Sequence, residues 1–76
     1  MVNANKRVLE RIDNAEPGCT LGDVIDILED TNEMTATKVN SLYCFLKYCK
    51  IEGTLDSPIC KQILKIVTEY ERRCSL

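Results

Sequence analysis

The stretch TATKVNSLYCFLKYCKI, residues Thr35 to Ile51, is the most apolar part of the chain and decides the fold. One stripe of an α-helix is lined by residues at i, i+3, i+4 and i+7, and four apolar side chains of this stretch follow that spacing: Val39, Leu42, Tyr43 and Leu46. Further apolar side chains fall on other sides of the same helix: Cys44, Phe45, Tyr48 and Ile51. Because one stripe cannot hold them all, we expect a central helix that is buried on two sides.

The composition favours a small helical bundle over a β-sandwich or barrel. The chain has 76 residues, 5% of them aromatic, with only three glycines and two prolines. We therefore expect a single all-α domain over residues 1–76, a four-helix fold of three main helices plus a short N-terminal helix. Domains of this size have modest cores, and self-association is a common way to stabilise them. The sequence thus predicts a dimeric bundle whose central helix supplies both core and interface.

The first helix is expected to run from Asn3 or Ala4 to Asn14, where the sequence Glu16-Pro17-Gly18 prevents it from continuing. Its apolar stripe is thin and consists of Val8, Leu9 and Ile12. Helices this short are marginal alone in water, so this one must gain its stability by docking on the others.

Thr20 is predicted to cap the N-terminus of the second helix, with Asp23 as its partner in a capping box. The apolar stripe of this helix is Leu21, Val24, Ile25 and Leu28. Gly22 costs the first turn roughly 1 kcal/mol relative to alanine. This glycine indicates either the close approach of another backbone or a residue that is merely tolerated.

Thr35 is the predicted N-cap of the central helix, and Gly53 is expected to end that helix in the left-handed conformation. Ser57 directly before Pro58 predicts the N-cap of the last helix. The apolar side of the last helix comprises Ile59, Cys60, Ile63, Leu64, Ile66, Val67 and Tyr70. Its polar side is expected to carry Lys61, Gln62, Lys65, Glu69, Glu71, Arg72 and Arg73.

Charge is distributed unevenly along the chain. From Asp13 to Glu33 every charged residue is acidic, whereas the chain from Lys38 onward is net basic. The asymmetry predicts an acidic flank that either keeps the second helix solvated or docks a basic partner: Asp23, Asp26, Asp30 and Glu33. The formal net charge of −2 argues against a protein whose main task is non-specific nucleic-acid binding.

No catalytic, metal-binding or cofactor-binding residues are predicted. The five cysteines form no CxxC pair and the chain contains no histidine, so Cys44, Cys49 and Cys60 are interpreted as small buried hydrophobes in a reducing cytoplasm. No nucleophile motif or phosphate loop accompanies the aspartates, and we expect no enzyme activity. Because no segment reaches the about 18 to 20 apolar residues of a membrane span, we expect a cytoplasmic protein without a membrane partner.

The second side of the central helix is predicted to be a self-association surface formed by Cys44, Phe45, Tyr48 and Cys49. A helix-turn-helix over residues 21–51 is the competing interpretation. The recognition helix would bring only one positive charge, Lys38, to the groove of DNA. The helix before it in sequence is acidic. DNA binding is therefore an alternative that the charges do not favour.

Three segments, TLGDVIDILED (20–30), KVNSLYCFL (38–46) and PICKQILKIVTEY (58–70), resemble the small bacterial connector proteins of the YmgB/AriR/YcgZ group. The resemblance implies an all-helical homodimer without enzymatic activity. It further implies regulation of a histidine-aspartate phosphorelay by contact with a kinase or response regulator, with effects on biofilm growth and acid resistance. DNA binding is implied for some members.

Two alternatives to the connector interpretation remain. The segments TLGDVI and EMTATKVNSLY are similar to the Hha type of nucleoid-protein modulators, and this similarity implies an acidic flank docked on a nucleoid protein. A phage- or plasmid-borne inhibitor of a host protein is a further alternative, because such proteins are also small, acidic and helical.

Overall fold

The computed structural model describes residues 4–74, which form four α-helices: α1 (Ala4–Asn14), α2 (Leu21–Glu29), α3 (Ala36–Glu52) and α4 (Pro58–Cys74). These residues contain no β-strand. The predicted all-α class and the predicted order of helices are confirmed. The alternative start of the first helix at Asn3 lies outside the described residues. None of the described helices is long and apolar enough to cross a membrane.

Helix α3 is the centre of the fold, because it contacts each of the other three helices. Helix α1 also packs on α4, whereas the backbone of α2 approaches only α3. The buried apolar side chains of all four helices join in one cluster: Val8, Ile12, Val24, Val39, Leu42, Tyr43, Phe45, Leu46, Cys49, Cys60, Ile63 and Val67. The predicted core stripe of α3 is therefore confirmed.

Local capping explains where the helices begin and end. The hydroxyl of Thr20 accepts a hydrogen bond from the backbone N–H of Asp23 at 3.3 Å and donates one to Oδ2 of Asp23 at 3.0 Å. At the start of α3, Oγ1 of Thr35 accepts from the backbone N–H of Lys38 at 3.2 Å. Gly53 ends α3 with a φ of 77°, the left-handed conformation that favours glycine. These caps agree with the sequence-based predictions.

Gly22 is tolerated rather than required. A Cβ atom placed on Gly22 would meet only Oγ1 of Thr20, at 3.8 Å, which is an ordinary van der Waals distance. The idea that another backbone approaches α2 at this glycine is therefore wrong.

Two apolar stripes have uncovered edges. Leu9 on α1 is 59% exposed, and Leu21 and Ile25 on α2 are 50% and 42% exposed. The backbone of α2 approaches only that of α3 among the described helices, and Val24 is the one residue of α2 that is completely buried. Helical periodicity thus identified the apolar side of each helix but not how much of that side a neighbour covers.

The prediction that Glu71 lies on the polar side of the last helix is wrong. Glu71 is 1% exposed, and both oxygens of its carboxylate have partners. It accepts from Nη1 of Arg11 at 2.5 Å and from the hydroxyl of Tyr43 at 3.0 Å, and it pairs with Nε of Arg7 at 3.1 Å. A buried carboxylate is tolerated when charged partners and hydrogen bonds replace its lost water. Glu71 therefore joins α4 to both α1 and α3.

Candidate protein-binding groove

An open, mostly apolar groove of about 600 Å³ lies at one end of the bundle. It is formed where the link between α1 and α2, the C-terminal half of α3 and the start of α4 meet. The side chains that give it its apolar character are Pro17, Cys19, Leu21, Phe45, Tyr48 and Ile59. Its walls come from three separate parts of the described chain.

The local sequence explains why this groove is open. Pro17 and Gly18 interrupt the helical path after α1, so the link crosses the end of the bundle without a helix of its own. Leu21 is the first residue of α2, and helical side chains lean towards the N-terminus, which brings Leu21 over the groove. Among the described helices, α3 is the one whose backbone approaches α2, which leaves Leu21 50% exposed at that edge.

The structure brings three of the four predicted self-association residues together in this groove: Phe45, Tyr48 and Cys49. Phe45 and Cys49 are 6% and 4% exposed and belong to the core of the single chain, while Tyr48 is 48% exposed. Cys44 is half-buried and contacts the link instead. Self-association stays a prediction, and Tyr48 is the member of this set that a second copy could contact most directly.

The predicted acidic face is fully displayed to solvent. Its four members, Asp23, Asp26, Asp30 and Glu33, are all exposed. Oδ1 of Asp30 accepts a hydrogen bond from the backbone N–H of Asn32 at 3.2 Å. Within the described part of the chain, the ion pairs are made by other carboxylates, those of Asp13, Glu69 and Glu71. The charge of the α2 face is thus available to a partner of opposite charge.

Two cysteines of α3 have a second thiol in their electrostatic surroundings: Cys19 in the case of Cys44, and Cys60 in the case of Cys49. Burial, reinforced by the neighbouring thiol, raises the pKa of Cys44 and likewise that of Cys49. All five cysteines are free. Among residues 4–74 no group of three or more acidic or cysteine side chains is placed to hold a metal ion.

The sequence does not predict the groove. Pro17 and Gly18 predict only the end of a helix, and Ile59 predicts only part of a core stripe. The one signal in the sequence is the excess of apolar side chains on α3, one of which, Tyr48, is 48% exposed in the groove wall.

Comparison with protein-family models, with curated proteins and with solved structures finds no match for this chain.

Proposed function

We propose that the protein is a non-enzymatic regulatory module that binds a basic amphipathic helix of a partner protein. The observation that supports the proposal is that one wall of the apolar groove is formed by the start of α2, the helix that carries the exposed acidic residues. Leu21 lines the groove, and Asp23 and Asp26 follow it on the same helix. An amphipathic helix that lays its apolar side chains into a groove is a recurring mode of recognition.

The dimensions and charges suit this occupant. The groove is open, has a volume of about 600 Å³ and is lined mainly by apolar side chains, as the apolar face of a helix requires. Tyr48 is half-exposed in the wall, and tyrosine is one of the residue types that most often anchors an interface. Lysine and arginine side chains on the outer face of the bound helix would meet the carboxylates of α2, which favours fast association and the correct orientation.

On the basis of the resemblance to the YmgB/AriR/YcgZ group, we further propose that the partner is a kinase or response regulator of a two-component phosphorelay in the cytoplasm. A nucleoid protein is the alternative partner, on the basis of the similarity to the Hha type. A second copy of this chain is the competing occupant of the groove, and the experiments below separate it from a foreign helix.

The first test uses a fluorescently labelled synthetic helix with leucines at i, i+3, i+4 and i+7 and lysines elsewhere. A matched peptide carries glutamates in place of the lysines. We expect the lysine peptide to bind and to lose affinity as salt is added, because charges on the exposed α2 face are screened. Equal affinity for the two peptides would contradict the role of the acidic face.

Two leucine variants then locate the site. Leu21→Ser should weaken binding of the lysine peptide at least about tenfold, equivalent to roughly 1.4 kcal/mol. Leu9→Ser is the matched control, since Leu9 is similarly exposed but lies on α1. Equal effects of the two variants would overturn the assignment to the groove. If sedimentation instead shows a dimer that Tyr48→Glu converts to a folded monomer, the groove is occupied by a second copy.

A further inference from the structure

The basic residues of the chain are concentrated on two helices that pack on each other, α1 and α4. These helices carry seven of the ten lysines and arginines: Lys6, Arg7, Arg11, Lys61, Lys65, Arg72 and Arg73. They carry only four carboxylates, and one of these, Glu71, is buried. Among the described helices, the backbone of α2 approaches neither α1 nor α4. The molecule therefore has a basic side that is separate from the acidic face of α2.

Two arginines on this side are held in place by one buried carboxylate. Nε of Arg7 lies 3.1 Å from Oε2 of Glu71, and Nη1 of Arg11 donates to Oε1 at 2.5 Å. The guanidinium carbon of Arg11 also lies 4.4 Å from the ring centre of Tyr43, a cation–π contact. Both arginine side chains stay partly exposed. Two positive charges thus share one negative charge, and because the guanidinium groups are already positioned, they lose little side-chain freedom when they bind an anion.

A concavity of about 560 Å³ on α4 lies beside this network. The described side chains that line it are Leu64, Lys65, Thr68, Glu69, Arg72 and Arg73. Thr68 is one turn before Glu71 and Arg72 directly follows it. The walls are mainly apolar, because Leu64 is half-buried and the stems of lysine and arginine add aliphatic surface. Lys65 and Arg72 are exposed and form no ion pair among residues 4–74.

We propose that this side of the molecule binds an acidic segment of a second partner protein. Its basic face consists of Arg7, Arg11, Lys65, Arg72 and Arg73. An apolar side chain of the segment fills the concavity, and the neighbouring carboxylates meet the cationic groups around it. The inference goes beyond the proposed function and does not depend on it. With both sites, the protein would be an adaptor that joins a basic helix of one partner to an acidic segment of another.

A nucleic acid fits this face less well than an acidic segment does. Phosphate binding gains its affinity from clustered cations, whereas Glu69 lines the same concavity and pairs with Arg73 at 3.4 Å. The mainly apolar walls are suited to an apolar side chain, which a sugar-phosphate backbone does not have. Residues 15–35 carry six carboxylates and no lysine or arginine, and these charges repel a long polyanion.

The test uses the full chain and a short labelled peptide with a central leucine between glutamates. In a matched peptide, glutamines replace the glutamates. We expect the glutamate peptide to bind, to lose affinity as salt is added and to bind more tightly than the glutamine peptide. Lys65→Glu should weaken its binding at least about fivefold. Lys61→Glu is the matched control, because Lys61 is exposed one turn earlier on α4, changes the net charge equally and lies outside the lining of the concavity.

Arg7→Gln examines the network beside the concavity. It leaves Arg11 and Tyr43 bound to Glu71, and it should also weaken binding of the glutamate peptide. Circular dichroism verifies that each variant is folded. If Arg7→Gln is unfolded, the comparison of Lys65→Glu with Lys61→Glu still decides the proposal, because both of these residues are exposed.

Equal effects of Lys65→Glu and Lys61→Glu, or equal affinity for the glutamate and glutamine peptides, would overturn the proposal. Tighter binding of a single-stranded oligonucleotide that Lys65→Glu removes would assign the face to a nucleic acid instead. Association of copies in sedimentation that Lys65→Glu removes would assign it to the acidic face of a second copy.

Leu21→Ser separates this face from the groove. It should leave the affinity for the short glutamate peptide unchanged, and a loss of binding would place that peptide in the groove and overturn the proposal. The lysine and glutamate helices of the earlier test are also compared in Lys65→Glu, in which the basic face is weakened. That comparison reports on the groove, so the failure of one proposal is distinguishable from the failure of the other.

Discussion

Replacement of Glu71 tests how the bundle is held together. Glu71→Ala removes a carboxylate that is 1% exposed and that binds Arg7, Arg11 and Tyr43 at once. The matched control is Glu69→Ala, two positions earlier on α4, because Glu69 is exposed and, among residues 4–74, forms its ion pair with Arg73, at 3.4 Å. The two variants remove the same chemical group from the same helix and differ in burial and in partners.

The expected loss of stability follows from those partners. Without Glu71 the buried hydroxyl of Tyr43 has no acceptor, which costs about 1–3 kcal/mol. Arg7 and Arg11 are 47% and 37% exposed, so water rehydrates them and each lost pair counts for only about 0.5–1 kcal/mol. Together these effects come to about 2–5 kcal/mol, which overlaps the roughly 3–5 kcal/mol typical of broken buried ion pairs.

A loss of this size is large for the molecule. A chain of 76 residues is stable by roughly 4–11 kcal/mol at about 0.05–0.15 kcal/mol per residue. The assay is urea unfolding followed by circular dichroism, in which the midpoint should fall strongly for Glu71→Ala with an unchanged slope. Glu69→Ala should cost only about 0.3–0.5 kcal/mol. If the Glu71 variant loses no more than the Glu69 variant, the buried network described above does not support the fold.

Four further predictions concern single residues. Burial and the hydrogen bond to Glu71 raise the pKa of Tyr43 above its ordinary 10.0. Because this tyrosine ionises first in the unfolded chain, the free energy of unfolding should fall as the pH rises above about 10. Tyr43→Phe should reduce this pH dependence when urea unfolding is measured at a series of pH values. Gly22→Ala should raise the thermal stability by about 0.5–1 kcal/mol, since the added methyl group meets no close atom; a lower melting temperature would contradict this. Gly53→Ala should cost about 1 kcal/mol in the same melts because φ is 77° there. Thr20→Ala should lower the free energy of unfolding by about 1 kcal/mol and should accelerate amide hydrogen exchange more in α2 than in α3. Equal acceleration in both helices would contradict the view that Thr20 stabilises α2 locally.

The helices and their caps could be predicted because their causes are local. Thr20 and Thr35 bond to residues three positions away, and Gly53 acts through its own φ angle. Periodicity likewise located the core stripe of α3. These features need no knowledge of how the helices are arranged.

Burial and the groove depend on neighbours that are distant in sequence. Glu71 sits among charged residues on α4, and its burial follows from Arg11, 60 positions away. Leu21 continues the stripe of Val24, yet one is half-exposed and the other is completely buried. The same spacing cannot distinguish them, because the difference is set by which helices pack on α2.

The pairing of α1 with α4 also has a consequence for the order of assembly. Helices α2 and α3 are neighbours in sequence and in space, so they can form a hairpin early, whereas the contacts of α1 with α4 can form only after α4 has been synthesised. During translation, at roughly 5–20 residues per second, α1 lacks these contacts for several seconds. Arg7 and Arg11, which later bind Glu71, keep that nascent helix charged meanwhile, and we expect this charge to oppose its aggregation before the bundle exists.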